Sequence, residues 1–209
     1  MQIDAILKRA VTNQLKKKIE AGHNGPYHDE ETLVRNSSHW LMLYLNEYKL
    51  RPRQELFNKI NKLISYLTSE KARPQKWTWH HRNKKGKDKC NGLIGPAWTI
   101  EALLTAGQVL KRPDLIELCQ EVFLAHPFST RLGLWKRREI TGNILRYDLT
   151  YNHQLWFLAI GSLISTDSKH QVGKQVHKAM DLLGRNTSIH SNGLIKPLSF
   201  SSVTRALYL

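Results

Sequence analysis

Apolar residues recur along this chain at helical spacing, in blocks of two kinds. One kind is apolar nearly all the way round. In the stretch Lys87–Glu101, KDKCNGLIGPAWTIE, a charged turn containing Gly92 and Gly95 runs into Ala97, Trp98, Ile100, Ala102, Leu103, Leu104 and Ala106. Pro96 suits a first helical turn, where its missing N–H is no loss. A helix of this character is buried on most sides. The second kind carries a single apolar stripe. Over Gln54–Leu67 the stripe is Leu56, Phe57, Ile60, Leu63, Ile64 and Leu67, opposite Glu55, Asn58, Lys59 and Lys62. That is an amphipathic surface helix.

The two kinds alternate. Buried helices are expected at about 32–47, 96–110 and 155–164, and amphipathic ones at 54–67, 113–125 and 171–183. A basic amphipathic helix is expected at 5–21. Trp40, Trp98 and Trp156 recur at intervals of 58 residues, as do Trp77 and Trp135, and Gly133-Leu134-Trp135-Lys136 is echoed by Gly193-Leu194-Ile195-Lys196. A fixed period of this size marks repeated supersecondary units that share a core. The expected class is all-α, with αα-hairpins at about 32–90, 91–147 and 148–200 in one domain over 1–209. Short extended or loop segments, at Trp77–Trp79 and at Leu134–Arg137, join the hairpins. The tail after Thr187 is Ser-rich and ambiguous.

Charge narrows the choice of partner. The 209 residues carry 32 Lys and Arg against 17 Asp and Glu, a net +15. Basic residues cluster at 8–18, 71–89 and 131–138, a balance that favours an anionic partner. The N-terminus lacks a signal-peptide pattern and no apolar run reaches membrane length, so a cytoplasmic protein without a membrane span is expected. Cys90 and Cys119 are too few for a disulfide framework or a zinc pattern, and Cys119 reads as a small core residue. The ten histidines form no HExxH. No nucleotide-binding glycine motif is present, so neither metal nor cofactor is expected. No nucleic-acid-binding module is visible.

The phrases GPYHDEETLVRN, GKDKCNGLIGPAWTIEALL, EVFLAHPFSTRLGLWKR and DLTYNHQLWFLA resemble a branch of the six-hairpin glycosidase superfamily associated with surface polysaccharide and glycan genes. The resemblance runs over about residues 10–200. It implies part of an (α/α)6 toroid. About six hairpins close such a ring, which needs roughly 350 residues at this period. The chain is therefore expected to supply the N-terminal half, with self-association or a second chain completing the ring. The wider superfamily includes hydrolases, unsaturated glucuronyl hydrolases, lyases and epimerases.

Each buried helix is preceded by a polar lip with a carboxylate 8 to 11 residues before its tryptophan: Asp29 or Glu30, Asp88, and Asp148. Carboxylates near helix N-termini can simply be caps. Glycoside cleavage, however, needs two carboxyl groups across a sugar, one protonated and one ionised. On that logic Asp148 is the candidate general acid or base, with Asp88 as partner and Asp29 third. His153 is a candidate proton carrier. His39 holds a similar place in the first repeat. Arg35 and Arg82 are candidates for pairing with a uronate carboxylate, and Asn91 and Asn152 for contacting substrate. Trp40, Trp98 and Trp156 are expected in the core, and Trp77, Trp79 and Trp135 are candidates for stacking on sugars. The expected function is acid–base chemistry on a uronate-containing glycan or acidic oligosaccharide. The alternatives are a non-catalytic helical-repeat binding protein and an inactive remnant.

Overall fold

The computed structural model describes residues 32–185 continuously, with positions 5, 6, 9, 12 and 13 and two strands at 187–189 and 195–197. The N-terminal helix expected at 5–21 falls mostly outside the described residues.

Six helices run from 33 to 185: α1 (Leu33–Leu50), α2 (Gln54–Leu67), α3 (Ile94–Leu110), α4 (Pro113–Ala125), α5 (Tyr151–Ile164) and α6 (Gln171–Arg185). They pair in sequence as α1–α2, α3–α4 and α5–α6, and α3 packs between α1 and α5. One row is therefore α1–α3–α5, with α2, α4 and α6 each laid against a member of it. The pattern explains the layers. Nearly every position of α3 from Ile94 to Gly107 is buried, whereas α2 buries only Leu56, Ile60, Leu63, Ile64 and Leu67. The main core runs through all three hairpins, and Phe123 of α4 stacks on Phe157 of α5 at 4.5 Å.

Local signals fix the helix starts. Thr32 caps α1, its Oγ1 accepting from the Val34 N–H at 3.3 Å. Pro113 opens α4 in the first turn. α3 has no side-chain cap from the residue that precedes it.

The all-α expectation is corrected by a small sheet. Strands β1 (Phe128–Ser129), β2 (Leu134–Arg138) and β3 (Ile144–Tyr147) form an antiparallel sheet in that order, between α4 and α5. Register pairs Phe128 with Trp135, and Lys136 with Tyr147. The stretch KRREITGNILRY is short and highly charged, which hid its alternation, and Gly142 at φ +86° makes the reversal. A second two-stranded ribbon joins β4 (Thr187–Ile189) to β5 (Ile195–Pro197). Among the described residues no helix is long and apolar enough to cross a membrane.

The tryptophan assignments are also corrected. Trp135 is fully buried, its ring against Phe123, Phe128 and Phe157 and its indole N–H donating to Gln175 at 3.0 Å. Trp79 is buried as well and donates to the Leu67 carbonyl. Neither can stack on a sugar. Trp156, expected in the core, is 44% exposed, and Trp40 and Trp98 are only partly buried. The 58-residue period located each tryptophan along its helix but not the direction in which it points.

Candidate functional site

The missing cap of α3 comes from two carboxylates on two different segments. The loop before α3 turns through Asn91 and Gly92, at φ +61° and +65°. That turn aims two successive amides outward. Asp88 accepts from the Gly92 N–H at 2.7 Å, and Asp148 accepts from the Leu93 N–H at 2.8 Å. Asp148 stands just after β3 and before α5, so the third repeat caps the second.

Asp148 is buried, and both its oxygens are engaged. Oδ1 accepts from the Thr150 N–H at 3.1 Å, and Oδ2 also takes His153 Nδ1 at 2.9 Å. Gln154 completes the support. It donates to the Asp148 carbonyl at 2.7 Å and exchanges two hydrogen bonds with the Trp135 backbone. Burial alone would raise the Asp148 carboxyl. The His153 ring and the Leu93 and Thr150 amides outweigh it and hold the group below its ordinary value.

Asp88 is the second hub. Arg137 Nη1 donates to it at 2.6 Å and Arg82 Nη2 lies 3.2 Å away. The Cys90 thiol donates to it at 3.3 Å. Burial again pushes up, while the Gly92 amide, Arg82, Cys90 and Arg137 pull the carboxyl down. Both aspartates are therefore ionised at neutral pH, and neither holds the proton that a general acid must donate. Arg82 is fixed further by the Asp88 carbonyl and by Asn91 Oδ1, at 2.7 and 2.8 Å.

Gly92 makes the close approach possible. A Cβ there would lie 2.5 Å from Asp148 Oδ2 and 2.9 Å from His153 Nδ1. Asp88, Arg82, Asn91, Asp148 and His153 are thus gathered at one lip. Asn152 is exposed one turn ahead of Trp156 on α5.

Arg35 and His39 form a separate group on α1, over Trp98 of α3. The Arg35 guanidinium is 4.9 Å and the His39 ring 5.1 Å from the indole centre. Desolvation, with Arg35 adding to it, holds the His39 imidazole below its ordinary value. A cavity of about 350 Å³ opens beside them, lined by Asn36, His39, Trp40 and Leu43. Asp29 and Glu30 lie outside the described residues. Trp135 belongs to the core. Among the described residues no cluster of His, Cys, Asp and Glu could hold a metal ion.

Sequence reasoning missed Arg137 and Gln154. Arg137 was visible only as one member of a basic run. Its partner is 49 residues away, and nothing in the spacing announces it. Gln154 follows His153 directly but reads as an ordinary helix residue.

The fold is similar to that of a polysaccharide lyase of known structure, with a TM-score of 0.60 at 14% identity over 93% of this chain and 57% of the lyase. In sequence the chain is 44% identical over 176 residues to archaeal glycosylation protein Q of Haloferax volcanii. That match takes in 84% of this chain, which spans 47% of the relative's length. No protein-family model matches the chain.

Proposed function

We propose that this chain is part of a glycan-processing enzyme: an arc of an α/α toroid whose lip performs acid–base chemistry on a carboxylate-bearing sugar. One observation carries the reading. His153 gives Nδ1 to a buried, ionised Asp148 that is itself pinned by two backbone amides. Such a partner fixes the tautomer and the orientation of the ring, and presents the opposite nitrogen, Nε2, for proton transfer. In this reading Asp148 orients and His153 carries the proton. Asp88 takes no proton. It holds Arg137 and Arg82 in place, so that Arg137 and Asn91 offer donors to a uronate carboxylate.

Two ionised aspartates suit a base-led reaction better than a hydrolysis that begins with a protonated carboxyl group. Neutralising a uronate carboxylate acidifies the adjacent C–H, which a positioned imidazole then attacks. Elimination and epimerisation both begin this way. The similarity to a glycosylation protein and the shared fold with a polysaccharide lyase support a glycan as substrate.

The test is turnover of uronate-containing oligosaccharides by the purified chain, with neutral oligosaccharides as controls. His153→Gln and Asp148→Asn are each expected to lower kcat by about 10²–10⁴ while leaving the melting temperature close to wild type for His153→Gln. Undiminished turnover in His153→Gln would overturn the assignment. The second reading is a glycan-binding shell without turnover of its own. It is favoured by the engagement of both carboxylates within the fold, Asp148 by two amides and His153 and Asp88 by Arg137, and binding without turnover would select it.

A further inference from the structure

The positive charge of the chain is not spread evenly. The loop over residues 82–89 and the β2–β3 hairpin over 134–147 together hold nine Lys and Arg against two acids, Asp88 and Glu139. That is +7 of the net +15 in 22 of the 209 residues. The fold joins the two segments. Asp88 on the loop pairs with Arg137 on the hairpin at 2.6 Å, and Glu139 on the hairpin accepts from the Lys89 N–H at 2.9 Å. These contacts engage both acids and leave the lysine side chains on the outside. Lys84, Lys85, Lys87 and Lys89 are exposed on the loop, as is Arg146 on the hairpin, and Lys136 lies 5.1 Å over the Tyr147 ring.

This basic shelf is continuous with the lip. Asp88 is one of its two acids and also the hub that holds Arg82 and Arg137, and β3 leads directly into Asp148. Lys87 and Lys89 flank Asp88 and Lys136 precedes Arg137, so cations adjoin the pair that joins the two segments.

We infer that the shelf formed by residues 84–89 and the β2–β3 hairpin is an extended subsite for an anionic glycan chain, holding charged sugars beyond the one at the reaction centre. This rests on the function proposed above and deepens it: the substrate is a polyanion several sugars long, not a single uronate. Clustered cations attract such a chain over a Debye length of about 8–10 Å, so the added affinity weakens as salt rises.

The experiment measures binding of uronate oligosaccharides of two and eight residues, prepared from pectate, alginate and hyaluronan, to the full chain at low and high salt. The octamer is expected to bind about tenfold or more tighter than the dimer at low salt, with the advantage shrinking at high salt. Lys85→Glu with Lys87→Glu should abolish that advantage while sparing dimer binding. Lys174→Glu with Lys178→Glu on α6, the same charge change elsewhere, should preserve it. Melting temperatures verify that both double variants fold.

An octamer bound no better than the dimer, or an advantage that survives Lys85→Glu with Lys87→Glu, would overturn the subsite while dimer turnover kept the proposed function standing. An oligodeoxynucleotide of equal charge that binds as tightly, and is lost in the same variant, would overturn it in favour of a nucleic-acid surface. Binding of no uronate oligosaccharide of either length would overturn both readings.

Discussion

Two polar clusters sit at the same end of α3 and differ in almost every respect. At the lip, Asp88 and Asp148 are ionised, and every hydrogen bond they accept comes from a named donor. Beneath it, Ser38, Thr99 and His81 form a buried chain, with Ser38 Oγ and Thr99 Oγ1 2.8 Å apart and Thr99 Oγ1 3.2 Å from His81 Nε2. The other ring nitrogen of His81 has no hydrogen-bond partner. Burial first, and then Arg35, His39, His80 and Arg82, push this imidazole down to about 3. So two histidines near the start of one helix have opposite surroundings. His153 is part-exposed and hydrogen-bonded to an anion. His81 is sealed among cations and stays neutral. Position near a helix end does not make a histidine chemical; a charged partner and access to solvent do.

The largest effect on this contrast is expected from Gly92→Ala. The new methyl would enter the space of Asp148 Oδ2 and His153 Nδ1, at a φ that alanine disfavours. We expect a loss of about 1–3 kcal/mol in urea unfolding, together with a fall in turnover. Unchanged stability would mean that the lip is loose, and the contrast with the sealed cluster would collapse.

A smaller effect separates the clusters by pH. His81 and His126, the latter pushed down to about 4 chiefly by its burial, are neutral in the fold but take up protons near pH 6.5 when unfolded. The unfolded chain then binds more protons, so stability falls as pH drops from about 6.5 towards 4. Asp88 and Asp148 are depressed carboxyls. Their contribution is present above the unfolded value of about 4 and is lost only below it. Melting curves against pH should therefore show two limbs. His81→Leu should flatten the upper limb and Asp88→Asn the lower. A single limb removed by either variant would show the clusters to be coupled.

The smallest effect is a control. Asp181 and Arg185 pair across one turn of α6 at 2.8 Å, with side chains 41% and 72% exposed. Asp181→Asn should leave the melting temperature unchanged, because exposed pairs contribute little.

Much of the fold was legible because burial writes itself into spacing. The bounds of α2 and α4 fall where the stripes of Leu56–Leu67 and Leu115–Phe123 place them, and Pro113 marks the start of α4. The sheet was not legible, because its strands are short and rich in arginine. At the site, the residue types could be read but not their partners. Asp88 and Asp148 stood out by their place ahead of tryptophans, whereas their sharing of two adjacent amides depends on a left-handed turn at Asn91 and Gly92. Trp135 misled for the opposite reason. A tryptophan in a basic run looks like a surface residue until its strand is seen to pair with β1 over the α4–α5 core.

The buried thiols give the chain two internal clocks. Burial, with Asp88 and Glu139 adding to it, drives the Cys90 thiol far up, and burial raises Cys119 to about 12. Neither reacts as it stands, because the nucleophile is the thiolate. Cys90 lies two residues from Asp88, inside the loop that caps α3, while Cys119 faces α3 from α4. A thiol reagent must wait for the lip to open to reach the first, and for the helix layers to part to reach the second. Labelling rates at the two positions therefore time two separate openings of one molecule. A glycan seated at the lip would slow the first clock and leave the second running.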